Sequence, residues 1–191
     1  MKNASTAAGF RNSTFTALGA GLVVALGAAP PIPLGILPVP VTLQSFGVML
    51  AGLLLGPRRA GAAMLVVVAL VAMGLPVLAG GRGGLAVLIG PTAGYLYGWV
   101  PGAMLIGALA LRADRVESML GRGVVYVGAC MAGGVAVVHA CGVLWLTGVI
   151  GLEFGKALWG TLLFVPGDLI KALAAALVCR RIEALISVRR H

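Results

Sequence analysis

Charged residues are so sparse in this chain that its hydrophobic pattern is best read from the interruptions. Uncharged runs extend from Asn12 to Pro57, Ala60 to Gly81, Gly83 to Leu111 and Gly123 to Leu152. Each meets or exceeds the roughly 20 residues that cross a bilayer as a helix. Prolines and glycines divide the runs at Pro30-Pro31-Ile32-Pro33, Pro38-Val39-Pro40, Gly56-Pro57, Pro76, Gly90-Pro91 and Pro166-Gly167, residues that break helices and mark turns. The pattern predicts six spans, at 13–29, 42–56, 60–76, 92–111, 123–149 and 166–183. The first two are short for a full crossing. Neighbouring loops are therefore expected to dip into the membrane, where irregular backbone is tolerated if protein buries it or it lines a cavity. The expected fold class is an all-α membrane protein, a six-transmembrane-helix bundle occupying 1–191 as a single integral membrane domain.

Composition supports the membrane as solvent: 60% of the 191 residues are hydrophobic and 10% charged, against roughly 25% charged in soluble domains. The net charge of +9 does not point to nucleic acid, because the basic residues form no stripe with interleaved aromatics. They sit between the spans. Lys2 and Arg11 precede the first, Arg58 and Arg59 separate the second and third, Arg112, Arg115 and Arg122 separate the fourth and fifth, and Arg180, Arg181, Arg189 and Arg190 follow the sixth. Only Arg82 and Lys156 lie in loops on the other side. Cytoplasmic loops retain positive charge, so both termini are expected in the cytoplasm of a multi-pass cell-membrane protein. The alternative reading of the first segment, a cleaved secretory leader, is disfavoured by the spans that follow at once.

Small residues recur every four positions, at Ala17, Gly21, Ala25 and Ala29 in the first span and at Gly90, Gly94, Gly98 and Gly102 at and within the fourth. Rows of this kind let helices approach closely. The glycine row is read as packing within the bundle. For the first row, internal packing and a docking face for another membrane subunit remain equal alternatives.

Asp168 and Lys171 most need a chemical explanation, since each ionisable group at the centre of a span costs roughly 2.5–3.5 kcal/mol to insert. Three apart, they are separated by about 300° and 4.5 Å of rise, so they share a face. They can form a structural ion pair or contact one ligand together, and intramembrane ions are functional candidates by default. On the same side lies Gly80-Gly81-Arg82-Gly83-Gly84, where missing side chains would let backbone amides approach a ligand. It opens no βαβ unit, so it is no dinucleotide fingerprint. Gly151-Leu152-Glu153-Phe154-Gly155-Lys156 lacks the spacing and the following Ser or Thr of a phosphate loop, so no ATPase is encoded. Cys130, Cys141 and Cys179 fall in apolar segments and are read as core residues, not a disulfide framework. Cys130 and Cys141 lie about 16 Å apart along an α-helix, with His139 near the opposite face. No metal site is expected, and His139 is read as a packed core residue.

Four segments, in order, carry a recognisable pattern: Val39-Pro40-Val41-Thr42-Leu43-Gln44, Gly74-Leu75-Pro76-Val77 with the glycine cluster, Gly90-Pro91-Thr92-Ala93-Gly94-Tyr95-Leu96, and Pro166-Gly167-Asp168-Leu169-Ile170-Lys171. This pattern closely resembles BioY, the biotin-binding S component of energy-coupling factor transporters. It departs at Ala93, where many members have glycine. The resemblance implies a six-helix S-component fold with no catalytic residues and no cofactor, binding biotin at the outer face. It implies that Asp168 and Lys171 meet the ureido ring, a carboxylate accepting from N–H and an ammonium donating to oxygen. Thr42, Gln44, Tyr95, Gly83 and Gly84 join the candidate set, and Arg82 is the candidate partner for the ligand carboxylate. The implied partners are a transmembrane coupling subunit and ABC-type ATPase subunits, docking on Ala17, Gly21 and Ala25. Whether the chain works alone, as a homo-oligomer or only with these subunits is left open by the sequence. Other readings are an S component for another vitamin, a stand-alone carrier or channel, and an intramembrane enzyme using Asp168; the last lacks a second carboxylate, nucleophile or metal set.

Overall fold

The computed structural model describes residues 2–188; Arg189 and Arg190 of the charge asymmetry lie outside the described residues. The architecture is helical throughout: α1 (Lys2–Leu26), α2 (Gln44–Ala72), α3 (Leu85–Ile89), α4 (Ala93–Ala110), α5 (Met119–Cys130), α6 (Val138–Gly148), α7 (Phe154–Leu162) and α8 (Val165–Val188). A short 3₁₀ turn, Leu111–Arg115, ends α4, and a π-helical segment, Met131–Val137, joins α5 to α6. Among the described residues, extended pairing is limited to two isolated bridges in loops, Ile32 with Val41 and Leu78 with Arg82.

The second and third predicted spans are the two limbs of α2. Gly56 takes φ 75° and ψ 173° ahead of Pro57, a left-handed φ open to glycine, and the chain reverses there. A straight helix of 29 residues would be about 43 Å long. Instead Gln44, at its start, accepts a hydrogen bond from Ala79 N just beyond its end (3.0 Å). A Cβ at Gly107 of α4 would lie 2.5 Å from Pro57 N, one at Gly52 2.6 Å from Ile106, and one at Gly61 2.5 Å from Met104. The hairpin thus straddles α4 on both limbs. Sequence expected a three-residue connector here; the structure needs one non-helical residue, and Arg58 and Arg59 are helical.

The six expected spans correspond to α1, the two limbs of α2, α4, the run from α5 to α6, and α8, while α3 and α7 are short helices the sequence did not predict. Gln44–Ala72, Ala93–Arg115 and Met119–Gly148 carry windows long and apolar enough to cross a membrane; α7 and α8, bent by 43°, do so as a pair, while the apolar part of α1, Asn12–Leu26, is shorter. The glycine row of α4 packs internally. Added Cβ atoms would lie 2.2 Å from Trp145 at Gly94, 3.0 Å from Val138 at Gly98 and 2.7 Å from Gly133 O at Gly102. The first row behaves differently. Gly19, Ala20 and Val23 form the buried face of α1, whereas Ala17, Gly21 and Ala25 are exposed, and nothing lies within 4 Å of a Cβ at Gly21. The outer surface carries many exposed large apolar side chains, among them Leu120, Leu144, Ile170 and Leu177, which suits hydrocarbon rather than water. The chain is therefore a multi-pass membrane protein.

Two loops close the end opposite the α2 reversal. Prolines at 30, 31, 33, 38 and 40 forbid helix in the first, and reciprocal N–H···O bonds between Ile32 and Val41 (2.9 Å each) tie its ends. Leu37 of this loop is buried against Gly160 of α7, where any Cβ would lie 2.4 Å from it. In the second loop, Gly80 and Gly81 both take positive φ (77° and 69°), allowing the tight turn that pairs Leu78 with Arg82.

Candidate ligand-binding site

Beneath these loops is a cavity of about 670 Å³ counted to its open mouth. Its apolar wall comes from the first loop (Val39, Val41), α4 (Leu96, Trp99) and the α7–α8 bend (Phe164). Its polar groups converge from three other places. Pro166 and Gly167 start α8, Asp168 N donates to Phe164 O (2.9 Å) across the bend, and Asp168 and Lys171 follow on one helical face. Ser45 is in the first turn of α2. His139 is in α6, one residue beyond its junction with the π segment.

These four side chains form one network. Lys171 Nζ donates to Asp168 Oδ1 (3.0 Å) and to Ser45 Oγ (2.9 Å). Ser45 Oγ donates to Asp168 Oδ1 (3.3 Å), and His139 Nε2 lies 3.0 Å from Asp168 Oδ2. A carboxylate only accepts, so His139 is the donor in that bond and carries its proton on Nε2. Asp168 is 4% exposed, and an ion buried this far is tolerable because it is paired and hydrogen-bonded. The carboxylate has about four acceptor positions and the ammonium three donors. Three and two of these are taken. One acceptor position on Asp168 and one N–H of Lys171 therefore remain for a ligand that offers a donor and an acceptor on neighbouring atoms.

The remaining candidates divide. Thr42, Tyr95 and Arg82 line the cavity. Tyr95 Oη shares a 2.6 Å hydrogen bond with Thr161, and its ring meets His139 and Phe164 edge-on, with centroids 6.1 and 6.2 Å away. Arg82 Nε donates to Ala79 O (3.1 Å), leaving the rest of its fork without an acceptor among the described residues. Burial pushes its guanidinium down from its ordinary value, though an arginine stays charged. Gln44 also borders the cavity but its amide is occupied: Nε2 donates to Val23 O and Val77 O (3.1 Å each), and Oε1 accepts from Ala79 N. It ties α1, α2 and the second loop together.

Gly83 and Gly84 are a correction. Neither lines the cavity. A Cβ at Gly83 would lie 2.0 Å from Leu75 O, and Gly84, at φ 86°, donates to Val71 O (2.8 Å). These glycines let the loop pass close to the end of α2. Reading His139 as an inert core residue is also overturned, since it bonds Asp168 at the cavity wall. The signal was available: an ionisable side chain within a span is a functional candidate by default. What the sequence hid is the π segment, because the straight α-helix assumed for 123–149 assigns every later side chain a different rotation. Ser45 was missed because it lies one residue past the motif that ends at Gln44.

A bundle of apolar helices, closed by loops over a cavity that holds the paired Asp168 and Lys171, defines a membrane protein built to hold a small solute. The chain belongs to the BioY family, whose pattern it matches over residues 1–188. A relative from Rhizobium etli, the biotin transporter BioY, is 51% identical over 173 residues, 90% of this chain and 92% of the relative. The biotin transporter BioY of Rhodobacter capsulatus is 49% identical, covering 90% and 93%. Among solved structures, the crystal structure of the S-component for biotin from an ECF-type ABC transporter superposes with a TM-score of 0.82 at 34% identity, covering 92% of each chain. The family comprises transport proteins and not enzymes.

Proposed function

We propose that this protein is the biotin-binding subunit of a biotin uptake transporter. The observation that carries the reading is the Asp168–Lys171 pair facing the apolar wall of the cavity, with one acceptor position and one N–H still open. A ureido ring presents N–H and C=O on adjacent atoms, matching both. Its fused ring and aliphatic chain suit Val39, Val41, Leu96, Trp99 and Phe164, and the uncommitted fork of Arg82 suits the carboxylate at the chain's end. The relatives and the structural neighbour are all named for biotin, which favours this vitamin over another.

The cavity lies at the end bearing Arg82, away from Arg58, Arg59, Arg112 and Arg115. By the positive-inside rule this is the extracytoplasmic end, so biotin is captured outside and both termini are cytoplasmic. The structural neighbour is a component of an ECF-type ABC transporter. The exposed row Ala17, Gly21 and Ala25 supports a matching arrangement here, with α1 packing on a transmembrane coupling subunit that links the chain to ABC-type ATPases. The direct test is equilibrium binding of labelled biotin to the detergent-purified chain. Saturable binding competed by unlabelled biotin is expected; an absence of saturable binding by folded protein overturns the assignment.

A further inference from the structure

Lys171 carries three N–H donors on one ammonium, and where two of them go decides where the third points. One goes to Asp168 Oδ1 (3.0 Å), three residues back on the same helix. That contact alone fixes little, because an ammonium on a flexible four-carbon stem turns about a single partner. The second goes to Ser45 Oγ (2.9 Å), in the first turn of α2. With the stem and two N–H directions fixed, the tetrahedral ammonium has one direction left for the third. Ser45 therefore supplies a fixed point that α8 cannot give its own lysine. It also lines the cavity, so the direction it sets is chosen at the cavity wall.

The Ser45 hydroxyl can keep this hold while its surroundings change. A hydroxyl has one proton and two lone pairs, and its proton rotates to suit. Two acceptors are in reach of that proton, Asp168 Oδ1 (3.3 Å) and Thr42 O (3.4 Å). Both are longer than the usual O–H···O distance of about 2.7–2.8 Å, and one proton cannot bond both well. A donor arriving on Asp168 can thus turn the Ser45 proton to Thr42 O while the oxygen still accepts from Lys171. The side chains of Lys171 and Asp168 are only 13% and 5% exposed, so an ill-aimed N–H has little water to turn to.

We propose that Ser45 is a positioning residue of the solute site, which aims the free N–H of Lys171 at the carbonyl oxygen of the ligand. This rests on the reading of the cavity as a site for a ureido ring. The hydroxyl proton is committed to Asp168 or Thr42, so Ser45 acts through Lys171 and does not offer the ligand a donor of its own.

The test is equilibrium binding of biotin, and of its thiourea analogue with sulfur in place of the ureido oxygen, to the detergent-purified full chain. Sulfur accepts hydrogen bonds weakly, so the ratio of the two dissociation constants reports how well the Lys171 N–H is aimed. Changes to the N–H groups of the ring are common to every variant and cancel. Ser45→Ala is expected to weaken biotin binding roughly tenfold, as for a hydrogen bond to a charged group, and to shrink the ratio about threefold or more. Ser45→Thr keeps the hydroxyl and is expected within about threefold of wild type for biotin, with the wild-type ratio. A purely structural loss lowers the folded fraction and the thermal midpoint but leaves the ratio alone. An unchanged ratio in Ser45→Ala overturns the role, as do equal losses in Ser45→Ala and Ser45→Thr. Should Ser45→Ala fail to fold, Ser45→Cys, whose thiol is a weak acceptor, carries the same comparison. Absence of saturable wild-type binding overturns the biotin reading and this role with it, whereas saturable wild-type binding with an unchanged ratio overturns the role of Ser45 alone.

Discussion

Asp168→Asn removes one charge and little volume from the centre of the proposed site. The carboxylate accepts from Lys171, Ser45 and His139 at 3.0, 3.3 and 3.0 Å, and the variant retains one acceptor oxygen. Removing one partner of a buried ion pair costs about 3–5 kcal/mol. Ser45 remains as an acceptor for Lys171, so the fold should lose about 3 kcal/mol or less. The larger effect falls on the ligand. A hydrogen bond to a charged acceptor contributes about 1.5–3 kcal/mol, which corresponds to roughly 10- to 150-fold in dissociation constant at about 1.4 kcal/mol per decade. The assay is equilibrium binding of labelled biotin to wild type and variant in detergent, normalised to the folded fraction. A shift of less than about threefold would refute contact between this carboxylate and the ligand, and would return the Asp168–Lys171 pair to a structural role.

Other outcomes follow from the same geometry. His139→Gln keeps an N–H able to reach Asp168 and should bind biotin within about threefold of wild type, whereas His139→Leu should lose roughly tenfold or more; equal losses in binding assays would mean that His139 acts by shape alone. Gln44→Leu strands the buried Ala79 N, at about 1–3 kcal/mol, and the half-buried Val77 O, so its thermal midpoint should fall; an unchanged midpoint would contradict the tie between α2 and the second loop. Gly107→Ala sets a methyl group against the backbone of Pro57 at 2.5 Å and should cost about 1–3 kcal/mol by overpacking, measurable by thermal unfolding. Gly21→Leu occupies open space and should leave folding and biotin binding intact while reducing uptake in cells that carry the coupling subunits; full uptake would argue against α1 as the docking face.

Much of the bundle was legible because membrane insertion is decided locally. Each span must satisfy its own backbone hydrogen bonds, so uncharged length and Pro-Gly punctuation located six helices, including the limbs either side of Gly56-Pro57. Asp168 and Lys171 were legible for the same reason, since an ion in a span stands out and three-residue spacing settles a shared helical face. Gly83 and Gly84 were misplaced because a glycine reports that a side chain is unwelcome without saying what excludes it. At Gly83 the Leu75 carbonyl excludes a side chain, and at Gly84 the left-handed φ of 86° disfavours one.

The sequence by itself thus determined the solvent, the places of the six spans and the paired charges, all set by local composition and helical periodicity. Only the tertiary structure decided what those charges meet. The π segment brings His139 to Asp168, the α2 reversal brings Gln44 to the loop at Val77–Ala79, and burial of one face of α1 leaves Ala17, Gly21 and Ala25 outward. Each depends on where a second helix comes to rest, and helix rotation and packing partner are long-range properties that no short stretch of sequence encodes.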